Sequence, residues 1–400
     1  MINVAVLGFG TVGSGVVELI DMNKDHIASK LENQLNVKYI LDIRDFPNSP
    51  YKDKFVKDFS IIENDPDIKV VAEVIGGATF AYDYTVRALK AGKSVVTSNK
   101  ELVAQKGYEL LELAKENNVN YFFEASVGGG IPLIRPMHRC MAANEITKFF
   151  GILNGTTNYI LTKMIEENVA FSDALKNAQE LGYAEADPTA DVEGIDACRK
   201  MCILASLAFG KHVYPKDVYA EGITKISLED VAIADECGYS IKLIGQGENY
   251  GENKKVMVAP ALVPHESLLS GVKDVFNSVL LQGNAVGDVF LSGRGAGKLP
   301  TASAVVADIL DAAKHFEFLK GWGWQDEIPG SVLTQEELTS PWYFRAENSK
   351  EDVLNLYPDA DIVYDKNGVV GAMVKSDINK NHFAKFEKLN VLSTIRILEL

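Results

Sequence analysis

The amino-acid sequence predicts an α/β protein with a Rossmann-type doubly wound parallel sheet, an α+β domain and a small C-terminal module. Three observations support this prediction. Short strands alternate with helices through the first third of the 400 residues, which is typical of a parallel sheet covered by helices on both faces. The middle of the chain mixes strands and helices without this alternation. Residues 340–400 follow the order β-α-β-β-α-β, which is that of a ferredoxin-like fold.

The first domain is expected over residues 1–136. Its predicted strands are short runs rich in Val, Ile, Tyr and Phe: Asn3–Leu7, Val37–Ile43, Val70–Ile75, Ser94–Thr97 and Asn120–Glu124. Its predicted helices have apolar residues at helical spacing: Val12–Leu31, Tyr82–Ala91 and Val103–Asn117. A helix near 301–315 is expected to pack back on this domain.

The second domain is expected over residues 137–300, and residues 340–400 are expected to form the third. The second has predicted strands at Glu145–Leu153, Ser240–Ile244, Lys255–Ala261, Val275–Leu281 and Asp288–Leu291. Its predicted helices are Tyr159–Glu167, Ser172–Leu181, Gly194–Phe209 and Leu228–Tyr239. A polar linker, Gln325–Ser340, precedes the third domain. That domain has predicted strands at Trp342–Ala346, Asp361–Tyr364, Val369–Lys375 and Val391–Leu398, and predicted helices at Lys350–Leu356 and Asn381–Leu389.

Composition excludes several classes of protein. Asp and Glu (55) outnumber Lys and Arg (40), and the net charge of -15 argues against nucleic-acid binding, which needs clustered cations. No apolar run approaches the ~20 residues of a membrane span, and the N-terminus lacks a basic leader, so a cytoplasmic protein is expected. The cysteines (Cys140, Cys198, Cys202 and Cys237) form no C-x-x-C pair and are expected to be reduced core thiols.

A glycine loop follows the first predicted strand and opens the first helix. Gly8 permits the tight turn, Gly10 lets the backbone approach a pyrophosphate, and Gly13 allows close packing of helix on strand. A lone G-x-G-x-x-G pattern is a weak indication, since glycine-rich turns also serve packing, but the strand and helix here lie where a dinucleotide site needs them. The expected cofactor-binding residues in this part of the sheet are Gly8, Gly10, Thr11, Val12, Gly13 and Gly76.

The end of the second strand bears on the choice of cofactor. Asp42 is suited to the ribose hydroxyls of NAD, whereas Arg44 is suited to the 2′-phosphate of NADP. Both side chains lie on the same side of an extended strand, and both could instead be solvated strand-end charges. Arg44 favours NADP slightly.

The stretch from Ala178 to Lys200 concentrates chemistry-bearing residues. Asp196 and Lys200 are four residues apart and therefore share one face of a helix that is otherwise apolar. Several further carboxylates precede them. A second lysine, Lys100, follows the strand Ser94–Thr97, and the carboxyl ends of such strands are where ligands bind. The plainer alternative is a surface ion pair.

With these residues in view, the chain resembles the homoserine dehydrogenase family. The family's signature has counterparts at Ala178, Gly182, Tyr183, Asp187, Pro188, Asp191, Gly194, Asp196 and Lys200. Further similar blocks are Gly8–Val17, Thr97–Leu102, Glu124–Pro132, Gly151–Leu161 and Gly295–Asp308. The resemblance therefore runs from the N-terminus to about residue 315.

The resemblance implies that a hydride passes between a nicotinamide, of NADP or NAD, and C4 of aspartate 4-semialdehyde. It implies Lys200 and Lys100 as the candidates for the acid and base. Lys200 is favoured for that role, with Lys100 orienting the substrate, neutralising charge and contacting the cofactor. Asp196 and Glu185 would bind the ammonium and hydroxyl ends of the substrate. The α-carboxylate would meet backbone and hydroxyl groups of Asn154–Thr157, which include Gly155 and Thr156.

Two further expectations come from the family. A loop like Glu124–Ile131 holds a monovalent cation, such as sodium, through the carbonyl oxygens of Glu124, Val127, Gly129 and Ile131. The alternative is a plain hinge between domains. The family also pairs subunits through the substrate domain, so a homodimer or homotetramer is expected.

The resemblance weakens in residues 340–400. Many members end in an ACT domain, which has the β-α-β-β-α-β order and often binds threonine. The usual glycine-rich turn after the first strand is replaced by Glu347–Asp352, which puts threonine binding by this ACT-like module in doubt. The alternative is a degenerate module kept for packing or dimer contacts.

Two other functions compete with this reading. The first is another oxidoreductase on the same scaffold, such as an aspartate or semialdehyde dehydrogenase. An acylating semialdehyde dehydrogenase would need a nucleophilic cysteine, but Cys198 and Cys202 lie inside a predicted helix. A nucleotide-binding regulatory protein would have no use for Lys100, Asp196 and Lys200.

Overall fold

The structure, a computed structural model, describes residues 1–319, 321–379 and 388–400. These residues divide into two compact units. The first unit comprises Met1–Ala143, Ile203–Tyr214 and Gly293–Glu327. The second comprises Asn144–Cys202, Pro215–Ser292 and Ile328–Leu400. The division into three domains, with boundaries at residues 136, 300 and 340, stays a prediction.

The described part of the first unit is built on a six-stranded parallel sheet with the order β3-β2-β1-β4-β5-β6. The strands are β1 (Ile2–Leu7), β2 (Leu35–Leu41), β3 (Phe55–Val56), β4 (Ile68–Glu73), β5 (Ser94–Thr97) and β6 (Tyr121–Phe122). The order reverses between β1 and β4, and ligands of doubly wound sheets bind at such a point. The predicted Rossmann-type fold is therefore confirmed.

Helices cover this sheet: α1 (Thr11–Met22), α2 (Lys24–Leu31), α3 (Ser60–Glu63), α4 (Thr79–Lys90), α5 (Lys100–Glu116) and α11 (Lys298–Lys314). The prediction of one helix over Val12–Leu31 is wrong, because Asn23 leaves the helical conformation and separates α1 from α2. Ala302, Val305 and Ile309 of α11 share a buried cluster with β1, so this late helix completes the core of the first unit.

The second unit contains a mixed sheet of ten strands among the described residues, with the order β12-β11-β7-β9-β10-β16-β13-β15-β14 and β8 paired to β10. The strands are β7 (Ile146–Ile152), β8 (Tyr219–Ala220), β9 (Tyr239–Tyr250), β10 (Asn253–Pro264), β11 (Phe276–Gly283), β12 (Gly287–Arg294), β13 (Ser340–Ala346), β14 (Asp361–Lys366), β15 (Val369–Ile378) and β16 (Val391–Ile397). Because β16 pairs with β10, the C-terminal strands continue the sheet of the preceding domain.

The remaining helices are α6 (Gly155–Glu167), α7 (Phe171–Glu180), α8 (Thr189–Val192), α9 (Ile195–Phe209), α10 (Leu228–Glu236) and α12 (Lys350–Leu356). Of the predicted helix Asn381–Leu389, all but the last two residues lie outside the described residues. The four elements β13, α12, β14 and β15 give the predicted β-α-β-β order.

Among the described residues, no helix has both the length and the apolar character to cross a membrane. The four cysteines are free thiols, as predicted. Cys198 and Cys202 are buried, but Cys140 is exposed, so the prediction of core positions is wrong for that residue.

Candidate active site

The glycine loop after β1 has the geometry that a dinucleotide needs. Gly8 has a φ of 95°, which favours glycine, and a Cβ on Gly13 would lie 1.9 Å from the carbonyl oxygen of Gly8. A Cβ on Gly10 or Gly76 would meet no atom within 4 Å, so the protein leaves open space above both residues. Thr11 and Val12 begin α1, and the N-terminus of a helix generally favours an anionic group such as a pyrophosphate.

Asp42 and Arg44, at the end of β2, bind each other. The Asp42 carboxylate accepts hydrogen bonds from the Phe9 N–H (2.7 Å) and from Nε (3.0 Å) and Nη2 (2.9 Å) of Arg44. Burial alone would raise the pKa of Asp42, but the bonds from Arg44 and Phe9 outweigh burial and lower the pKa to about 2. Asp42 therefore stays ionised and holds the exposed Arg44 guanidinium beside the glycine loop.

A second cation lies next to Arg44. The Lys57 ammonium donates a hydrogen bond to the Arg44 carbonyl oxygen and lies 2.9 Å from the Asp45 carboxylate. Sequence reasoning missed Lys57 because it follows β3, a strand of two residues that is too short to give a pattern. The structure therefore places two cations where the second strand ends.

Lys100 is the first residue of α5 and lies in the first unit. The side chain of Asn99 caps this helix by accepting from the Leu102 N–H (3.1 Å), and it donates to the Gly77 carbonyl oxygen (2.7 Å). The cap thus connects the start of α5 to the glycine-rich loop after β4. Lys100 therefore follows the carboxyl end of β5, and ligands of doubly wound sheets bind at the carboxyl ends of the strands.

Glu73 supports the same loop and was not predicted. Its carboxylate accepts from the Ile75 N–H (2.7 Å) and the Thr97 hydroxyl (2.6 Å), which joins the ends of β4 and β5. The side chain is fully buried, and burial raises its pKa to about 7. The signal in the sequence is an acidic residue at the end of an otherwise apolar parallel strand.

Asp196 and Lys200 form a buried ion pair on α9, in the second unit. The Lys200 Nζ lies 2.7 Å from Asp196 Oδ2 and 2.7 Å from the Leu153 carbonyl oxygen. The two residues are 4% and 9% exposed, so the alternative of a surface ion pair is wrong. A buried lysine held by a carboxylate is suited to proton transfer.

Asn154, which the sequence analysis included only within the segment Asn154–Thr157 expected to meet the α-carboxylate, organises this pair. Its amide nitrogen donates to Asp196 Oδ2 (2.9 Å) and to Asp191 Oδ1 (2.7 Å). Its amide oxygen accepts from the Thr157 N–H (2.8 Å) and so caps α6. Burial, together with the neighbouring Asp196, raises the pKa of Asp191. One side chain thus connects two carboxylates to the start of a helix.

Two of the predicted substrate-binding residues, Gly155 and Thr156, lie at the start of α6, directly after Asn154. Gly155 opens α6, and a Cβ there would lie 2.9 Å from the Val275 carbonyl oxygen, so the position demands a small residue. The Thr156 hydroxyl donates to the Tyr183 carbonyl oxygen (2.7 Å), which connects the helix start to the loop before Glu185. Glu185 itself is exposed, unlike the buried ion pair.

The predicted cation loop is buried and glycine-rich. Its four named residues, Glu124, Val127, Gly129 and Ile131, are all buried, and Gly129 has a φ of 55°. A Cβ on Gly129 would lie 2.4 Å from the carbonyl oxygen of Gly295. The Glu124 carboxylate is occupied by the N–H groups of Leu133, Ile134 and Arg135 (2.6–2.9 Å).

Side-chain ligands for a metal are lacking in the described part of the chain, which contains no group of three His, Cys, Asp or Glu residues that could hold one. A cation in the loop would therefore be held by main-chain carbonyl oxygens, which suit a hard monovalent ion. The loop around Gly129 is buried and rich in glycine, which is compatible with such a site.

The predicted residues thus fall into two sets. The second unit brings Asp196 and Lys200 together and joins them through Asn154 to the α6 start, where Gly155 and Thr156 lie. The first unit holds Lys100 and the residues predicted for cofactor and cation.

Two family models match this sequence. The model described as the NAD binding domain of homoserine dehydrogenase matches residues 8–124, and the model described as homoserine dehydrogenase matches residues 132–310. The chain is 45% identical over 318 residues to homoserine dehydrogenase of Bacillus subtilis, covering 78% of this chain and 73% of the relative. It is 37% identical over 395 residues to the homoserine dehydrogenase of Neisseria gonorrhoeae, and the match covers 94% of this chain and 88% of the relative.

Solved structures of homoserine dehydrogenases are also similar to this chain. A homoserine dehydrogenase from Thiobacillus denitrificans superposes with a TM-score of 0.91 at 33% identity and covers 100% of this chain and 98% of its own. A hyperthermophilic archaeal homoserine dehydrogenase in complex with NADPH gives a TM-score of 0.67 at 29% identity, and the match covers 80% of this chain and 99% of the archaeal one.

Proposed function

The chain belongs to the homoserine dehydrogenase family, and we propose how its residues interconvert L-aspartate 4-semialdehyde and L-homoserine in amino-acid biosynthesis. The enzyme is an NAD(P)-binding oxidoreductase that acts on a small molecule. When bound at the glycine loop, NAD(P) supplies the hydride for C4 of the semialdehyde or accepts it from homoserine. The observation that carries the residue assignment is the buried Lys200–Asp196 pair, which Asn154 orients.

Lys200 is assigned the role of general acid and general base. Reduction leaves an alkoxide on C4, which the Lys200 ammonium protonates, and oxidation requires the neutral amine to accept the proton of the substrate hydroxyl. Asp196 and the Leu153 carbonyl oxygen fix the position of the Lys200 nitrogen through bonds of 2.7 Å each. Lys100 orients the substrate, offsets developing negative charge and contacts the cofactor.

The amino-acid end of the substrate is bound around the start of α6. Helix N-termini favour anions, because their first N–H groups lack partners within the helix. Gly155 and Thr156 supply this end of α6, which supports their assignment to the α-carboxylate. Glu185 and Asp196 are assigned to the ammonium and hydroxyl groups.

The reaction is tested by following NAD(P)H absorbance with L-homoserine and, in the reverse direction, with L-aspartate 4-semialdehyde. The wild type is expected to turn over both. Absence of activity with both substrates would contradict the assignment. An acylating semialdehyde dehydrogenase is disfavoured, since Cys198 and Cys202 are buried in α9.

NADP is the preferred coenzyme in this proposal. Arg44 and Lys57 offer two cations at the end of β2, and the ionised Asp42 holds the first of them in place. Arg44→Ala should raise the KM for NADPH about 10-fold or more, since it removes a charge-assisted bond, and change the KM for NADH little. Equal effects on both coenzymes would contradict a role in binding the 2′-phosphate.

Sodium is proposed for the loop of Glu124, Val127, Gly129 and Ile131, with carbonyl oxygens as ligands. The ion would stiffen this loop and carry no chemistry of its own. Activity in sodium chloride should exceed activity in tetramethylammonium chloride at equal ionic strength. Equal activities would contradict the site.

The proposal also includes a homodimer or homotetramer and domains at 1–136, 137–300 and 340–400. The family's use of the substrate-domain sheet for pairing supports the oligomer. Light scattering of the purified chain tests it, and a monomeric mass at micromolar concentration would contradict it.

A further inference from the structure

Lys242 is a buried lysine that neither the catalytic ion pair nor the cofactor site uses. It lies on β9 between the buried apolar residues Ile241 and Leu243, and it is 2% exposed. Removing an ammonium group from water costs free energy unless other groups compensate it. The partners of Lys242 therefore indicate why a cation is kept at this position.

The ammonium group of Lys242 bonds only uncharged groups within the described part of the chain. Its Nζ donates to Asn158 Oδ1 (3.0 Å) and to the Val272 carbonyl oxygen (2.6 Å), and no carboxylate of the same residues bonds to it. In this it differs from Lys200, which lies 2.7 Å from the Asp196 carboxylate. The charge of Lys242 is therefore not offset by a bonded anion.

Lys242 nevertheless carries its charge at neutral pH. Burial, together with the nearby Lys273, lowers its pKa to about 8, and the more distant carboxylates of Glu166 and Asp274 act in the opposite direction. Because this pKa is still above neutral pH, most molecules hold the ammonium form. An unneutralised charge in the protein interior acts strongly on a nearby anion, because the surroundings screen it less than water does.

Asn158 connects Lys242 to a segment between β10 and β11. Its amide nitrogen donates to three carbonyl oxygens of this segment, those of Val272 (3.2 Å), Asp274 (3.0 Å) and Phe276 (3.1 Å). Since Lys242 bonds both the Asn158 side chain and the Val272 carbonyl oxygen, the two side chains together hold Val272–Phe276 against α6.

The same segment touches the start of α6. A Cβ on Gly155 would lie 2.9 Å from the Val275 carbonyl oxygen, so the two backbones are in close contact. The N–H groups of Gly155 and Thr156 donate to no atom of the described residues, as is usual in the first turn of a helix. Asn158 follows Gly155 by three residues, or ~4.5 Å along the helix axis. The Lys242 ammonium therefore lies about one helical turn from these free N–H groups.

We propose that Lys242 is a positioning residue for the α-carboxylate of the substrate. It holds the start of α6 through Asn158 and Val272–Phe276, and its buried charge attracts the carboxylate without touching it. The inference rests on the proposed function, which assigns the α-carboxylate to Gly155 and Thr156.

Steady-state kinetics of Lys242→Met in the full chain tests the inference. The KM for L-homoserine should rise about tenfold or more, because binding loses the attraction of a poorly screened charge. The kcat should stay within about threefold of the wild type, since the proton-transferring pair is intact and the lost interaction is made equally in the ground and transition states. The KM for the coenzyme should not change.

Lys93→Met is the matched control. Lys93 lies in the first unit, is 3% exposed, and donates to the carbonyl oxygens of Asp65 (2.7 Å) and Ile68 (3.1 Å). The control therefore removes an equally buried lysine with two main-chain partners. It should leave the KM for L-homoserine unchanged, and thermal unfolding compares the stability of the two variants.

Two further variants separate the charge of Lys242 from its packing. Lys242→Arg keeps a cation, so the KM for L-homoserine should stay near that of the wild type. Lys242→Gln keeps a hydrogen-bond donor without the charge, so the KM should rise, and this variant replaces Lys242→Met if the latter does not fold. A KM that rises equally in the Arg and Gln variants would overturn the role of the charge.

Competitive inhibition identifies the part of the substrate that Lys242 serves. L-2-Aminobutyrate is homoserine without its hydroxyl, and 3-amino-1-propanol is homoserine without its α-carboxylate. In Lys242→Met, the inhibition constant of the first should rise in parallel with the KM, and that of the second should change little. An equal rise for both compounds would overturn the assignment to the carboxylate.

An unchanged KM for L-homoserine in a folded, active Lys242→Met or Lys242→Gln would overturn the proposal. The same rise in Lys93→Met would also overturn it, since it would show a general effect of losing a buried lysine. A wild type inactive on both L-homoserine and L-aspartate 4-semialdehyde would instead contradict the proposed function, so the two failures are distinct.

Discussion

At the scale of single residues, several polar side chains of this protein each join two segments of the chain. Asn154 caps α6 with its oxygen and holds Asp191 and Asp196 with its nitrogen. Asp42 fixes Arg44, and Glu73 joins the loop after β4 to Thr97. Residue types and spacing predicted Asp196, Lys200 and Arg44. They did not predict Glu73, nor that Asn154 and Asp42 join other side chains, because a polar residue's partner across the fold leaves no local pattern in the sequence.

Asn154→Ser separates the two roles of this side chain. Serine is a good helix cap, so the melting temperature should change little, but serine cannot donate to both carboxylates. The kcat for homoserine oxidation should therefore fall about 10- to 100-fold, as it does when catalytic groups are misplaced. Steady-state kinetics and thermal unfolding test this. A large loss of stability with unchanged kcat would assign Asn154 to folding alone.

Glu73 makes stability depend on pH. Burial raises its pKa from 4.5 to about 7, so the folded protein binds this proton more tightly than the unfolded chain. This contribution to the free energy of unfolding is complete below about pH 4.5 and is lost as the pH rises through about 7. The loss amounts to about 3 kcal/mol. Glu73→Gln removes this dependence.

The stability of Glu73→Gln relative to wild type should therefore increase between pH 4.5 and 7.5. Urea unfolding of both proteins at several pH values measures the difference, in which other titrating groups cancel. A difference that is flat with pH would contradict the raised pKa of Glu73.

At the scale of elements, the C-terminal strands hold the start of α10. Asp230 is fully buried and accepts from Ser227 of its own capping box and from Arg345 Nε (2.9 Å) and the Ser393 hydroxyl (2.6 Å). Arg345 also bonds Glu229 (2.6 Å). Strands β13 and β16 thereby fix a helix that lies earlier in the chain.

Arg345→Met should destabilise the protein by about 3–5 kcal/mol, because it leaves the Asp230 charge buried without its main partner. Lys163→Met, which breaks an exposed pair with Glu167, should cost at most about 1 kcal/mol. Denaturant unfolding compares the two variants. Equal small effects would show that the Arg345 network contributes little.

Some strands could not be predicted in full from the pattern of apolar residues in the sequence. The predicted strand Ser240–Ile244 is only the first part of β9, which continues to Tyr250. The prediction stopped short because Gly245 and Gly247 interrupt the alternation of apolar and polar residues, although both glycines pair regularly with β10. A Cβ on Gly247 would lie 2.2 Å from Phe149, so packing against a neighbouring strand requires glycine there. Strands β3 and β8 have two residues each and are defined only by their partners.

At the scale of the whole molecule, the order of elements was predictable because each strand and helix carries its own apolar period. The Rossmann-type sheet and the β-α-β-β order of the C-terminal region follow from that period alone. The pairing of β16 with β10 was not predictable, since it joins residues 261–262 to 396–397 and no local signal encodes such a contact.

The central claim is that Lys200, held by Asp196, transfers the proton, and chemical rescue tests it most directly. Lys200→Ala should lower kcat for homoserine oxidation by about 10²- to 10⁴-fold, the usual effect of a general base. Added ethylamine should restore part of the rate in this variant and leave the wild type and Lys176→Ala unchanged. Rescue that grows with the concentration of neutral amine is the predicted result. An unaffected kcat in Lys200→Ala, or a loss that no primary amine relieves while the fold is intact, would contradict the claim.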